Sequence, residues 1–169
     1  MRRLYLTLLA TLTVLLTVVV LPAGGAVGDG VLELKAVYGN VTVTGSRGVL
    51  WGQMDRGTLK VVNPIAGDGD VLVSGYETKF KPVASENTTF YIGNDLHFRV
   101  TGGKYKLVFT KGSDGIDLTA VGVGVAALTG DPYADDTGHY ALDGGKWTAV
   151  PLITRSVPFG VQPAQAPSS

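Results

Sequence analysis

Cysteine is absent from this chain of 169 residues. That absence excludes disulfides, thiol catalysis, cysteine-ligated zinc and iron–sulfur clusters together. Histidine is nearly absent too, with two residues, His97 and His139, which leaves little for an imidazole metal site. Charge is sparse at 17% and balanced, with 14 basic and 14 acidic residues. A chain that grips nucleic acid by bulk electrostatics shows a basic excess, so nucleic acid is not expected as a partner. Low charge beside 45% hydrophobic content also excludes a disordered polyampholyte. Helical periodicity is missing beyond residue 26, and with it any glycine-rich phosphate loop leading into a helix. The length fits one domain.

The first 26 residues are of a different kind. Arg2 and Arg3 form a short positive start, Leu4 to Leu21 carries no charge, and Pro22 precedes the small residues Ala23-Gly24-Gly25-Ala26. Positive start, apolar run and small-residue exit read as a signal peptide cleaved after Ala26, with an uncleaved N-terminal membrane anchor as the alternative. Either reading places the remainder outside the cytoplasm. An exported chain with no cysteine fits a bacterial envelope, since eukaryotic secreted domains of this size usually carry disulfides.

The rest reads as strands. Leu96, Phe98 and Val100 alternate with His97, Arg99 and Thr101; Tyr105, Leu107 and Phe109 alternate with Lys104 and Lys106. Period-2 alternation marks strands with one face on a core and one on water. Turn signals recur at Tyr38-Gly39-Asn40, Gly67-Asp68-Gly69-Asp70, Thr101-Gly102-Gly103, Ser113-Asp114-Gly115 and Asp143-Gly144-Gly145. Such spacing predicts an all-β, antiparallel β-sandwich or barrel over residues 27–160. A short β-solenoid is the alternative. Residues 161–169 hold little to bury and read as a disordered tail.

The chain also aligns with itself. Gly45-Ser46-Arg47-Gly48-Val49 resembles Gly112-Ser113-Asp114-Gly115-Ile116, and Trp51 then meets Leu118 and Val61 meets Leu128 at the same offset. One residue less aligns Val41 with Leu107 and Val43 with Phe109; one more aligns Asn63-Pro64-Ile65-Ala66 with Asp131-Pro132-Tyr133-Ala134. Two pseudo-repeats, about 31–92 and 97–160, are expected, each too small for a good core alone. Val123, Val125 and Ala127 stand where the first copy has Arg56, Thr58 and Lys60. That strand is apolar on both faces, so something is expected to cover it. Either the chain's own segment 152–160 does so, or Val123 and Val125 face a partner.

Candidate chemistry is thin. Asp131, Asp135 and Asp136 share one loop and offer carboxylates for calcium, although aspartate is also a favoured turn residue. Trp51, Trp147, Tyr76, Tyr91, Tyr133 and Tyr140 are the aromatics available for a sugar-stacking platform. Trp51 is expected in the core because it aligns with Leu118, Trp147 reads as core too because it aligns near Phe80, and Tyr133, in a loop, is the exposed candidate. His97 reads as a surface residue on a polar strand face. No G-x-S-x-G elbow is present, and Glu33, Glu77 and Glu86 cannot be paired from sequence into a glycosidase couple. No catalytic residue is assigned. Lys79, Lys81, Lys104, Lys106 and Lys111 read as outward lysines that discourage edge aggregation.

The stretch from Leu96 to Gly130, with Phe98-Arg99-Val100-Thr101-Gly102-Gly103 and Gly115-Ile116-Asp117-Leu118-Thr119-Ala120-Val121-Gly122, resembles uncharacterised exported β-proteins of high-GC actinobacteria. The resemblance implies no activity, cofactor or catalytic residue. The expectation is therefore a non-catalytic exported or cell-surface β protein with a binding or structural role in the bacterial envelope. An envelope protein, a glycan or a second copy would be the partner. A small carbohydrate- or calcium-binding module is the alternative, followed by a secreted hydrolase.

Overall fold

The computed structural model describes residues 28–62, 70–83 and 87–160. The expected signal peptide, the loop holding Asp68, Glu86 and the expected tail lie outside the described residues. Eight strands and no helix make up the described chain: β1 (Gly30–Val62), β2 (Val71–Ser74), β3 (Thr78–Phe80), β4 (Thr88–Val100), β5 (Tyr105–Gly130), β6 (His139–Leu142), β7 (Thr148–Ala149) and β8 (Arg155–Phe159). They form an antiparallel sheet that is not closed, in the order β2-β4-β1-β5-β8, with β3 on β4, β6 on β1 and β7 on β6. A solenoid stacks parallel strands, whereas every pairing among the described residues is antiparallel. The β-solenoid alternative is thereby set aside.

β1 and β5 are too long to run straight. At roughly 3.3 Å per residue, the 33 residues of β1 would far outreach a domain of this size. They bend instead. Residues 30–34 of β1 pair with 118–122 of β5, and residues 47–62 pair with 106–123. Residues 39–45 pair with β5 on both sides, with 105–113 and with 124–130. The two strands thus wrap about each other, and β4 runs along the outer side of residues 50–62.

Alternation places the core as the sequence predicts. Leu32, Leu34, Val41, Val43, Leu50, Met54, Leu59 and Val61 of β1 are buried, as are Leu107, Phe109, Ile116, Leu118 and Leu128 of β5. Leu96, Phe98 and Val100 of β4 are buried beside exposed His97 and Arg99. Each fully buried side chain of this size contributes about 1.5–3 kcal/mol. The alternation fails at several places, and one of them corrects an expectation. Val123 is buried, not outward. Gly122, Val123 and Gly124 are buried in succession because β5 bends there, at Gly122 with φ +145°, and the register with β1 slips between Gly45 and Arg47. Val125, two residues on, is partly exposed and pairs with Pro158 of β8. The edge of this stretch is thus occupied by the chain's own last strand.

The first bend of β1 carries strain. Ala36 has φ +48°, a left-handed conformation that costs an L-residue roughly 1–2 kcal/mol. Asp117 of β5 holds the bend, its Oδ1 accepting the Ala36 N–H at 2.7 Å. Ala36→Gly removes the Cβ penalty at the expense of some unfolded-state entropy. Equilibrium denaturation should show a gain of about 0.5–1 kcal/mol.

Candidate functional site

The outward positions of four strands line up across the sheet. The β1 and β5 registers set Glu33 opposite Thr119, Thr119 opposite Trp51, and Gln53 opposite Asp117. The β4 register sets Trp51 opposite Arg99 and Gln53 opposite His97. β2 extends both rows, with Leu72 opposite Arg99 and Ser74 opposite His97. One row is therefore Glu33, Thr119, Trp51, Arg99, Leu72, and beside it lie Asp117, Gln53, His97 and Ser74. At about 4.8 Å between neighbouring strands, a row of five spans roughly 19 Å.

A cavity of about 520 Å³ opens over these rows, lined among others by Glu33, Trp51, Gln53, His97, Asp117 and Trp147. A shallower hollow of about 240 Å³ shares His97 and Phe98 and continues to Leu72 and Arg99. Together they make a groove across the strands. Trp51 is 46% exposed and Trp147 43% exposed. An indole left half open in a concavity offers an apolar face with an N–H handle, and both tryptophans of the chain are used this way. Polar groups ring them. Gln53 Nε2 donates to Asp117 Oδ2 at 3.5 Å, and His97 Nε2 lies 3.2 Å from Asp95 Oδ1. With Oδ1 held by Ala36 and Oδ2 by Gln53, Asp117 is a fixed acceptor.

Both tryptophans correct the expectation that placed them in the core; Phe80, with which Trp147 aligns, is itself exposed. Leu50 and Met54 point inward, so position 51 must point outward, whereas Leu118 is buried. Trp51 and Leu118 therefore face opposite ways, although the sequence match sets them side by side. Of the other aromatics, Tyr91 and Tyr140 are buried. Tyr76 packs edge-on against Tyr91 at 5.3 Å, away from the groove, and Lys79 Nζ sits over both rings. Tyr133 is exposed but does not line the groove. Asp131 Oδ1 accepts the Tyr133 N–H at 3.0 Å and Asp136 Oδ1 accepts the Gly138 N–H at 2.8 Å, the turn role open to aspartate. Asp135 is exposed. Among the described residues no group of three histidines or carboxylates is placed to share a metal ion.

Sequence reasoning missed Glu33, Gln53, Asp117 and Thr119 as partners of the tryptophans. The available signal was the shared outward parity of 51, 53, 97 and 99 in two alternating stretches. No protein-family model matches the chain, and comparisons with curated proteins and with solved structures find no match.

Proposed function

We propose that this chain is a non-catalytic, exported protein of the bacterial envelope that binds a glycan in the groove over β1, β4 and β5. The observation that carries the reading is the convergence of Trp51 and Trp147 on one groove ringed by Glu33, Gln53, His97 and Asp117. A pyranose ring has an apolar face of C–H groups and a rim of hydroxyls. The face stacks on an indole, and the rim needs acceptors and donors at set positions. Both are present. A groove of roughly 19 Å across strands suits a short linear run of sugars. Export rests on the character of residues 1–26.

One observation supports a second reading. Glu33 faces Thr119, which makes Asp117 its diagonal neighbour at about 7–8 Å between backbones, and glycosidase carboxylates fall in such a range. Affinity electrophoresis against a panel of cell-wall and storage polysaccharides, run beside a reducing-end assay, separates the two. Retarded migration with no new reducing ends is expected. Release of reducing ends would replace the binding reading with hydrolysis.

The finer architecture belongs to the same proposal: a two-layer sandwich built from two copies of one unit. Several observations support it. The ring of Phe98, from the groove layer, meets Phe109, from the other, at 5.1 Å. Shifting by 66 or 67 residues turns the pairing of 39–45 with 124–130 into that of 106–109 with 59–62. The same shift turns the pairing of 57–62 with 88–93 into that of 124–128 with 155–159. β2 on β4 has its counterpart in β6 on β1. Positive φ angles recur too, at Gly48 and Gly115 and at Gly75 and Asp143.

In this arrangement the middle of β4, where the copies join, corresponds to the place where Gly160 packs against Gly30. A Cβ on Gly160 would stand 3.0 Å from the Gly30 nitrogen. A circular permutant that links 160 to 30 and opens the chain at exposed Asn94-Asp95 is therefore expected to fold. A cooperative denaturation curve checks it; an unfolded permutant would count against the duplication.

A further inference from the structure

The two concavities over the outward rows differ in charge. Glu33 and Asp117 line the larger. The smaller, of about 240 Å³, is lined by Leu72, Val73, Ser74, His97, Phe98 and Arg99, without a carboxylate. Each of its polar side chains can donate: a guanidinium, an imidazole and a hydroxyl. Arg99 is the permanent charge among them, since a guanidinium keeps its proton in proteins. Its neighbours across the strands are apolar, Trp51 on one side and Leu72 on the other. Arg47 is paired with Asp29 at 2.7 Å and Arg56 with Asp114 at 2.6 Å. Arg99 has no such ion pair among the described residues. Glu33 is three strands along the row, roughly 14 Å away. Asp117 is taken by Ala36 and Gln53, and Asp95 lies against His97. Asp70, at the entry to β2, does not line the hollow.

We infer that the groove selects an acidic glycan, with the carboxylate of a uronic acid seated against Arg99 and a sugar face stacked on Trp51. The inference rests on the glycan reading of the groove and names the class of sugar it takes. A guanidinium fork matches the two oxygens of a carboxylate, and Ser74 adds a donor in the same hollow. The stacking group and the charge stand one strand apart, about 4.8 Å. The acid must therefore be carried on the stacked sugar or on the one joined to it, which a ring carboxylate achieves. The acidic end of the groove, at Glu33 and Asp117, is left to hydroxyls.

Affinity electrophoresis of the whole chain tests this, in gels cast with polygalacturonate, alginate or hyaluronan, or with the carboxyl-reduced form of each. Reduction makes every uronic acid a neutral sugar and keeps the backbone and its linkages. At least one acidic polymer should bind about tenfold more tightly than its reduced form, the share of charge-assisted hydrogen bonds to one carboxylate. Arg99→Gln should erase that preference and leave the fold intact, because Arg99 is exposed. Arg155→Gln removes another exposed arginine, one that lines neither concavity, and should keep the preference. Reduced forms bound as tightly as their acidic parents, retardation by neutral polymers alone, or a preference that survives Arg99→Gln would overturn the inference and leave the glycan reading standing. So would a preference lost equally in Arg155→Gln. A chain that no polysaccharide retards, acidic or neutral, would overturn both.

Discussion

Replacing Gly48 by alanine is expected to cost about 3 kcal/mol or more, a large share of the protein's stability. Gly48 and Gly122 face each other where β1 and β5 cross. A Cβ on Gly48 would stand 2.7 Å from the Gly122 α-carbon and closer still to the Val121 carbonyl oxygen. Those neighbours are backbone, so no side chain can swing aside. Gly48 also has φ +121°, which an L-residue adopts only under strain of about 1–3 kcal/mol. Overpacking adds about 1–3 kcal/mol, against a total stability near 5–15 kcal/mol for a domain. Gly122→Ala should behave alike, since its Cβ would meet the Gly48 α-carbon at the same 2.7 Å. Gly144→Ala is the control. It has φ +66° as well, but a Cβ there would meet nothing within 4 Å, so it carries only the conformational penalty. Urea denaturation of the three variants checks the order.

Replacing Trp51 by alanine is expected to weaken glycan binding about thirtyfold or more while leaving the fold intact. Aromatic anchors at the centre of a binding surface are worth about 2 kcal/mol or more on truncation, which is about thirtyfold in affinity. Trp51 sits mid-row, between Thr119 and Arg99, so it meets ligand from either direction along the groove. Its side chain supports little else. It is 46% exposed, and its cross-strand packing is worth under about 1 kcal/mol. Trp147→Ala, at one end of the groove, should cost less with short oligosaccharides and more with long ones. Calorimetry on the parent and both variants, with thermal denaturation alongside, measures both effects.

The all-β fold was legible because half-buried strands write their two faces into the sequence. Leu96 to Val100 and Tyr105 to Phe109 show this directly. Strand lengths were not legible. Gly39 and Ser113-Asp114-Gly115 read as turns, yet β1 and β5 run through both. Glycine permits a sharp bend as readily as a reversal, and the choice depends on pairing with distant residues. The groove was less legible still. Its residues come from 33, 51–53, 97 and 117–119, and only the register brings them together. Trp51 shows how poorly a sequence match reports burial: it aligns with Leu118, yet the two face opposite ways. Val123 failed for the converse reason, since the bend at Gly122 breaks the alternation that the sequence pattern assumes. The aspartates of the 131–136 loop were legible as turn residues, and two of them act as such.

The two tryptophans give the most direct test of the glycan reading, because the chain has only those two and both line the groove. Their indole N–H signals report on the groove alone. The measurement is an NMR titration of the whole chain with the oligosaccharide unit of whichever polysaccharide retards it most. Both indole signals are expected to move and saturate together, with the amides of Gln53, His97 and Asp117 following. Indole signals that stay still while every polysaccharide and oligosaccharide tried is added to saturation would contradict the account.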